Sequence, residues 1–268
     1  MPLAPCKSMN SLRRNLIFGF IFVLLAGTGF SLWHRAPAED IRLVLNIPAN
    51  RIDVYEHGER TRSLEVSVGK PEFATPTGKY RINSVIWNPW WHPPKSKWAR
   101  GEKPTPPGPA NPMGRVKINF APLLYIHGTW DVDRLGAPAS HGCIRMGKRD
   151  LIELTKLIHK YRTPRVDPEV LATLEANDRM TRNFAVKPIR FDVVYRLVEV
   201  VDNKLIIHPD VYRSGKTSLD EQIVGELEKH GVDITDKIKE RVALFSKRRV
   251  ATRLTVQIDT LVTSAEGD

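Results

Sequence analysis

From residue 41 onward, apolar and polar side chains take turns along the chain. In IRLVLNI (41–47) and RIDVYEHGERTRSLEVSVGK (51–70), Ile, Leu and Val recur at alternate positions. A period of two turns one face of a strand to a core and the other to water. The EHGE between Tyr55 and Arg60 supplies turn residues, so the second stretch predicts a hairpin. TPTGKYRINSVIW predicts a turn and another strand. RVKINF and LLYIHG predict two more, the last delivering His127 to a strand end. The period then changes. In KRDLIELTKLIHKY, Leu151, Leu154, Leu157 and Ile158 share one face of a helix.

Two stretches have no period. NPWWHPPKSKWARGEKPTPPGPANPMG, Asn88 to Gly114, is too rich in proline for a helix or a central strand. A loop this long in a compact domain is usually a lid, a binding loop or disordered, and its tryptophans argue against plain disorder. Thr129 to Ala139 forms a second, polar loop before SHGCIRM. Beyond Thr163-Pro164 the composition shifts. VDPEVLATLEANDRMTRN predicts a helix with Pro168 near its start. IRFDVVYRLVEVVDNKLIIHPDVY predicts a hairpin turning at Asp202-Asn203. Two helical segments follow, then a strand at VATRLTVQIDTLV. Strand-like segments thus dominate up to Thr163, and a smaller α+β extension follows over 164–268.

The N-terminus adds a compartment. Asn15 to Trp33 carries no charge and, as a helix, spans roughly 28 Å, close to the thickness of a hydrocarbon core. Lys7, Arg13 and Arg14 precede it, which keeps residues 1–14 cytoplasmic and sends the remainder across, behind a linker at 34–40. The segment is a membrane anchor or, with Ala36-Pro37-Ala38 as a cleavage site, a signal peptide. Either way the expected location is the cell envelope, on the periplasmic side of the inner membrane. The formal charge of +11 suggests an anionic partner. A nucleic acid is not expected, since neither the motifs nor the exported topology fit one.

Of the two cysteines, Cys6 precedes the apolar segment and Cys143 follows it, so they face different compartments and do not pair. An unpaired thiol in an oxidising compartment is a candidate for reactivity. Three chemistries fit Ser-His-Gly-Cys with a second His-Gly upstream: a buried structural thiol, a metal site from His127, His141 and Cys143, or a nucleophile with its base. For the third, glycine beside the cysteine lets a carbonyl approach the backbone, and the N–H groups of Gly142 and Cys143 are candidates to hold an oxyanion. If the segment is extended, residues 141 and 143 project to one face.

IHGT and SHGCIRM together resemble the signature of the L,D-transpeptidases of the YkuD or ErfK/YbiS/YhnG group. TPTGKY, PPGPANPMG and the stretch from Val193 to Tyr212 extend the resemblance. It implies a mainly β catalytic domain over 41–163, a sandwich or barrel with a few helices, with Cys143 as nucleophile and His127 as general base. Ser140, His141, Gly142 and Gly128 would support the turn and the oxyanion; the donor fork of Arg145 suits either loop backbone or a substrate carboxylate. No metal or organic cofactor is implied. The implied substrate is the peptidoglycan stem peptide, with an amine of another stem or of a wall-attached protein as acceptor. On the same scaffold water could replace the amine, giving an L,D-carboxypeptidase or amidase; a non-catalytic wall-binding module is a further alternative. Six basic side chains between Trp87 and Lys117 (Lys95, Lys97, Arg100, Lys103, Arg115, Lys117) face only Glu102. From this loop Lys97 and Trp91 are expected to contact substrate, by charge and by stacking.

Overall fold

The computed structural model describes residues 39–163, 166–214, 218–247 and 250–266. The segment expected to cross the membrane, Asn15 to Trp33, lies outside them. Among the described residues no helix is long and apolar enough to span a membrane. The chain divides into units 1–39 and 40–268, and every described element lies in the second.

Eight strands close into a barrel. They are β1 (Ile41–Asn46), β2 (Arg51–Glu56), β3 (Glu59–Ser67), β4 (Gly78–Trp87), β5 (Val116–Ala121), β6 (Leu124–Gly128), β7 (Ile144–Met146) and β8 (Arg182–Val194). Their order around the barrel is β1-β2-β3-β7-β6-β5-β4-β8. The apolar half of the alternation fills its interior. Ile41, Leu43, Leu45, Ile52, Val54, Val66, Ile82, Val85, Ile118, Ile126 and Ile144 are all fully buried in one core. The predicted hairpin turn is a two-residue one: His57 and Gly58 have φ of 51° and 92°, the hand that matches strand twist. Two neighbouring pairs, β1 with β8 and β6 with β7, run parallel, and the other pairs run antiparallel. The helix α1 (Lys148–Arg162) presents Leu151, Leu154, Leu157 and Ile158 to the same core, as its spacing predicts.

The barrel does not end where the sequence places a division. The division expected at 163–164 precedes α2 (Pro168–Ala176) and β8, and β8 pairs with both β4 and β1. Ile189, Phe191 and Val193 of β8 are buried in the barrel core. Truncating Phe191 to alanine would cost about 3–5 kcal/mol on typical core figures. The stretch read as one hairpin therefore splits. Its first part closes the barrel, and only Val198 to Ile207 forms the hairpin, β9 (Val198–Val201) with β10 (Lys204–Ile207). The expected turn residues Asp202 and Asn203 take φ of 50° and 59°. α2 is also shorter than the stretch that predicts it, ending at Ala176.

β9 and β10 belong to a small module with its own core. β11 (Leu254–Gln257) completes a three-stranded sheet. Against it pack α3 (Leu219–Lys229), α4 (Asp236–Lys247) and α5 (Ile258–Glu266) around Leu205, Ile207, Ile223, Leu227, Ile238 and Val242. The expected final strand is only half right: IDTLV is the start of α5, where Ile258 and Leu261, three apart, bury one helical face. Polar contacts join module and barrel. The Asn46 side chain donates to the Arg196 carbonyl at 3.1 Å and accepts from the Arg196 N–H at 2.9 Å. Arg51 of β2 pairs with Glu199 of β9 at 2.8 Å, and His208 lies 3.4 Å from the same carboxylate. Burial would raise the Glu199 carboxyl, but hydrogen bonds and charge from His208 and Arg51 hold it at about 2.

Candidate active site

Strand register brings the two singled-out residues together. β5, β6 and β7 lie side by side, with Lys117 opposite His127 and His127 opposite Arg145. Ile118, Ile126 and Ile144 point into the barrel, so alternation turns Lys117, His127 and Arg145 outward in one row. Cys143 falls just before β7, level with Tyr125, and the two extend this outer face. The Cys143 sulfur lies 3.6 Å from the Leu123 carbonyl, and the Tyr125 N–H is placed to donate to it when it is ionised.

The electrostatics keep both partners neutral. Burial pushes the Cys143 thiol up; the Tyr125 amide, Arg145 and Lys117 pull it down without overcoming burial. Burial also lowers the His127 imidazole, to about 4, and the charges of Arg145 and Lys117 push the same way. The hydrogen bond to Gly128 opposes them. His127 Nδ1 lies 2.7 Å from that Gly128 carbonyl, which can only accept. The proton therefore sits on Nδ1, leaving Nε2 as the basic nitrogen. The Lys117 ammonium sits 4.5 Å over the Tyr125 ring.

Gly128 is also a point of close approach. A Cβ on it would come within 3.1 Å of the Gly114 Cα, and Gly128 N–H donates to the Met113 carbonyl at 2.9 Å. This seats the end of the proline-rich loop against the strand that carries His127. Asn111, fully buried, fastens the loop to itself: its amide nitrogen faces the carbonyls of Pro89, Thr105 and Pro106 at 2.8–3.1 Å. From this base the loop lays Trp98 flat on His141, with ring centroids 4.1 Å apart and planes 6° apart. Phe73 meets the same imidazole edge-on at 4.7 Å. His141 is thus a packed ring, its pKa lowered by burial and by Lys70 and Arg145.

Four expectations change. Residues 141–143 are not extended, because Gly142 has φ of 107° and turns the chain there. Gly142 N–H donates to the Ser140 hydroxyl at 3.1 Å, and that hydroxyl in turn donates to the Cys143 carbonyl. Of the two amides expected to hold an oxyanion, only that of Cys143 lacks an acceptor among the described residues. Trp91 pairs its backbone with Thr105 and serves the loop's own fold, whereas Trp98 meets the site. Lys97 is exposed beside it. Arg115 leaves the basic patch altogether: it is buried, bonded to Asn88 and to the carbonyls of Leu174 and Glu175. Among the described residues, His127, His141 and Cys143 do not form a group that could hold a metal ion.

Sequence reasoning missed Thr75 and Tyr212. Thr75, almost fully buried, donates from its hydroxyl to the Gly142 carbonyl at 2.9 Å. Tyr212 donates from its phenol to the Gly69 carbonyl at 2.8 Å. Both residues lie in segments that carry the family resemblance, TPTGKY and HPDVY, which was the available signal.

Known proteins similar to this chain fall in one family. Residues 40–168 match the family model YkuD, described as the L,D-transpeptidase catalytic domain. A Fuscovulum blasticum protein, named as an L,D-transpeptidase in the ATP synthase subunits region, is 39% identical over 99 residues, covering 36% of this chain and 52% of its own. The Escherichia coli K12 protein named as the L,D-transpeptidase YbiS is 30% identical over 143 residues, covering 50% and 47%. The Bacillus licheniformis protein named as the L,D-transpeptidase YkuD is 27% identical over 118 residues, covering 44% and 59%. The chain thus spans about half the length of these relatives. The matched span contains β1 to β7 and both His127 and Cys143, so the likeness to the L,D-transpeptidase catalytic domain of the YkuD family falls on the barrel and its site.

Proposed function

We propose that the protein is a cysteine-dependent L,D-transpeptidase acting on peptidoglycan stem peptides in the cell envelope. The observation that carries this is the outward row Lys117, His127 and Arg145, with Cys143 beside it. Nucleophile, base and two cations share one face of a rigid sheet. Neither cation has an ion-pair partner among the described residues.

In the first step the Cys143 sulfur attacks the carbonyl of the third stem residue at its L-centre, and His127 Nε2 takes the thiol proton. Because thiol and imidazole rest neutral, this transfer accompanies bond formation. The carbonyl oxygen becomes an oxyanion facing the Cys143 N–H. The C–N bond then breaks, the terminal D-alanine leaves as an amine with the proton from His127, and a thioester remains. An acceptor amine attacks the thioester and gives its proton to His127. Collapse forms the new peptide bond and returns the sulfur, which His127 reprotonates. Gly128 stabilises the transient imidazolium by accepting from Nδ1. Arg145 and Lys117 attract the free carboxylates of the stem and favour the negative charge that develops at sulfur and oxygen.

Incubation of the purified protein with tetrapeptide muropeptides tests this. The expected products by mass spectrometry are cross-linked dimers and free D-alanine, both lost in Cys143→Ala. Tripeptides without dimers would replace transfer by hydrolysis, and a fully active Cys143→Ala would end the proposal.

A further inference from the structure

The segment that leads out of β10 places one phenol against the turn beside the site. Tyr212 follows β10, and its phenol enters the turn between β3 and β4. The phenol donates to the Gly69 carbonyl at 2.8 Å and accepts from the Thr75 N–H at 3.1 Å, tying together the two ends of that turn. Within the turn, the Thr75 hydroxyl accepts from the Gly69 N–H at 2.9 Å and spends its one proton on the Gly142 carbonyl, also at 2.9 Å. Behind Tyr212, its own N–H donates at 2.8 Å to the Tyr195 hydroxyl, which donates to Asp210. Every hydroxyl in this chain of bonds has one donor and one acceptor role filled.

The last bond decides what the chain does. The Gly142 carbonyl and the Cys143 N–H belong to the same peptide group, and in a trans peptide they point in opposite directions. Gly142 sits at φ 107°, where glycine turns at little cost, so nothing in its own side chain fixes that plane. Holding the carbonyl toward Thr75 therefore aims the Cys143 N–H the other way, as the open donor for an oxyanion. We infer that Tyr212, acting through Thr75, is a positioning residue: it sets the orientation of the Gly142–Cys143 peptide and so the strength of oxyanion stabilisation during acyl transfer. This deepens the proposed function and rests on its assignment of Cys143 as the nucleophile.

The test compares two reactions of the full-length protein at Cys143, each read on its own tryptic peptide by mass spectrometry. Acetylation by p-nitrophenyl acetate passes through a tetrahedral oxyanion; alkylation by iodoacetamide does not. Tyr212→Phe is expected to slow acetylation by roughly tenfold or more while leaving the alkylation rate and its pH profile within twofold of wild type. With muropeptides the same loss falls on kcat and not on KM. Thr75→Val is expected to behave alike, Thr75→Ser to restore the rate, and Tyr212→Phe with Thr75→Val to be no slower than Thr75→Val alone. If Tyr212→Phe does not fold, the Thr75 pair carries the test. Wild-type acetylation in Tyr212→Phe, or a parallel loss of alkylation and acetylation, would overturn the inference, the second by showing mere bracing of the fold. Failure of the wild type to cross-link muropeptides, with the acetylation contrast intact, would instead refute the proposed function alone.

Discussion

Toward a simple alkylating agent, Cys143 is expected to be slow at neutral pH even with two cations beside it. Burial outweighs the Tyr125 amide, Arg145 and Lys117, so the thiol titrates above its ordinary 9.0. At pH 7 such a thiol is ionised in fewer than about one molecule in a hundred, and the thiolate is the reacting form. The partner imidazole, held at about 4, stays neutral and offers no positive charge to form a resting ion pair. The assay is iodoacetamide alkylation of the Cys143 peptide between pH 5 and 9, with free cysteine as reference. The rate is expected to climb about tenfold per pH unit from pH 7 to 9, below the reference throughout. Lys117→Met and Arg145→Met should each move the rise to higher pH, since each removes a charge that favours the thiolate. A pH-independent plateau between pH 5 and 8 would mean a preformed thiolate–imidazolium pair and would refute the argument that burial dominates.

Acyl transfer needs His127 neutral, so the acid limb of kcat/KM is expected near pH 4, not near 6.5, in a pH-rate profile with a tetrapeptide donor. His127 and His159 are both buried with pKa values of about 4, so the unfolded chain binds more protons between pH 6.5 and 4. Stability should be full above pH 6.5 and fall by roughly 3 kcal/mol per histidine as pH drops to 4, read by urea unfolding across that range. Glu199→Gln leaves the half-buried Arg51 with Asp53 as its remaining ionic partner and should cost about 1–3 kcal/mol and lower Tm. Arg145→Met, which keeps the stem of the side chain, should reduce kcat/KM by roughly 10–100-fold, the loss of one charge-assisted contact, and leave Tm nearly unchanged.

The sequence made local structure legible where one face of a segment meets the core. The alternation from Ile41 to Ser67, the period of α1 and the turn at His57-Gly58 all appear as the pattern requires. His127 at a strand end and the irregular loop from Asn88 to Gly114 were equally readable. Pairing was not. β8 has the apolar alternation of any strand, and nothing local says that it closes a barrel between β1 and β4. The IDTLV segment is too short for its period to separate strand from helix. In the site, Ser-His-Gly-Cys and His-Gly were enough to single out Cys143 and His127, which lie on or beside the neighbouring strands β7 and β6. The geometry between them was not, because it turns on a positive φ at Gly142 and on hydroxyls of Thr75 and Tyr212, 137 residues apart. The stacking of Trp98 on His141 is likewise a tertiary contact that composition does not encode.

The most direct test is to look for the covalent intermediate itself. A tetrapeptide donor is mixed with the protein without acceptor, quenched in acid within seconds, and the protein mass and its peptides are measured. The protein is expected to be heavier by the donor less D-alanine, with the added mass on Cys143 and absent from Cys6. Turnover of the donor with the added mass on another residue, or with no covalent adduct at any time, would contradict it.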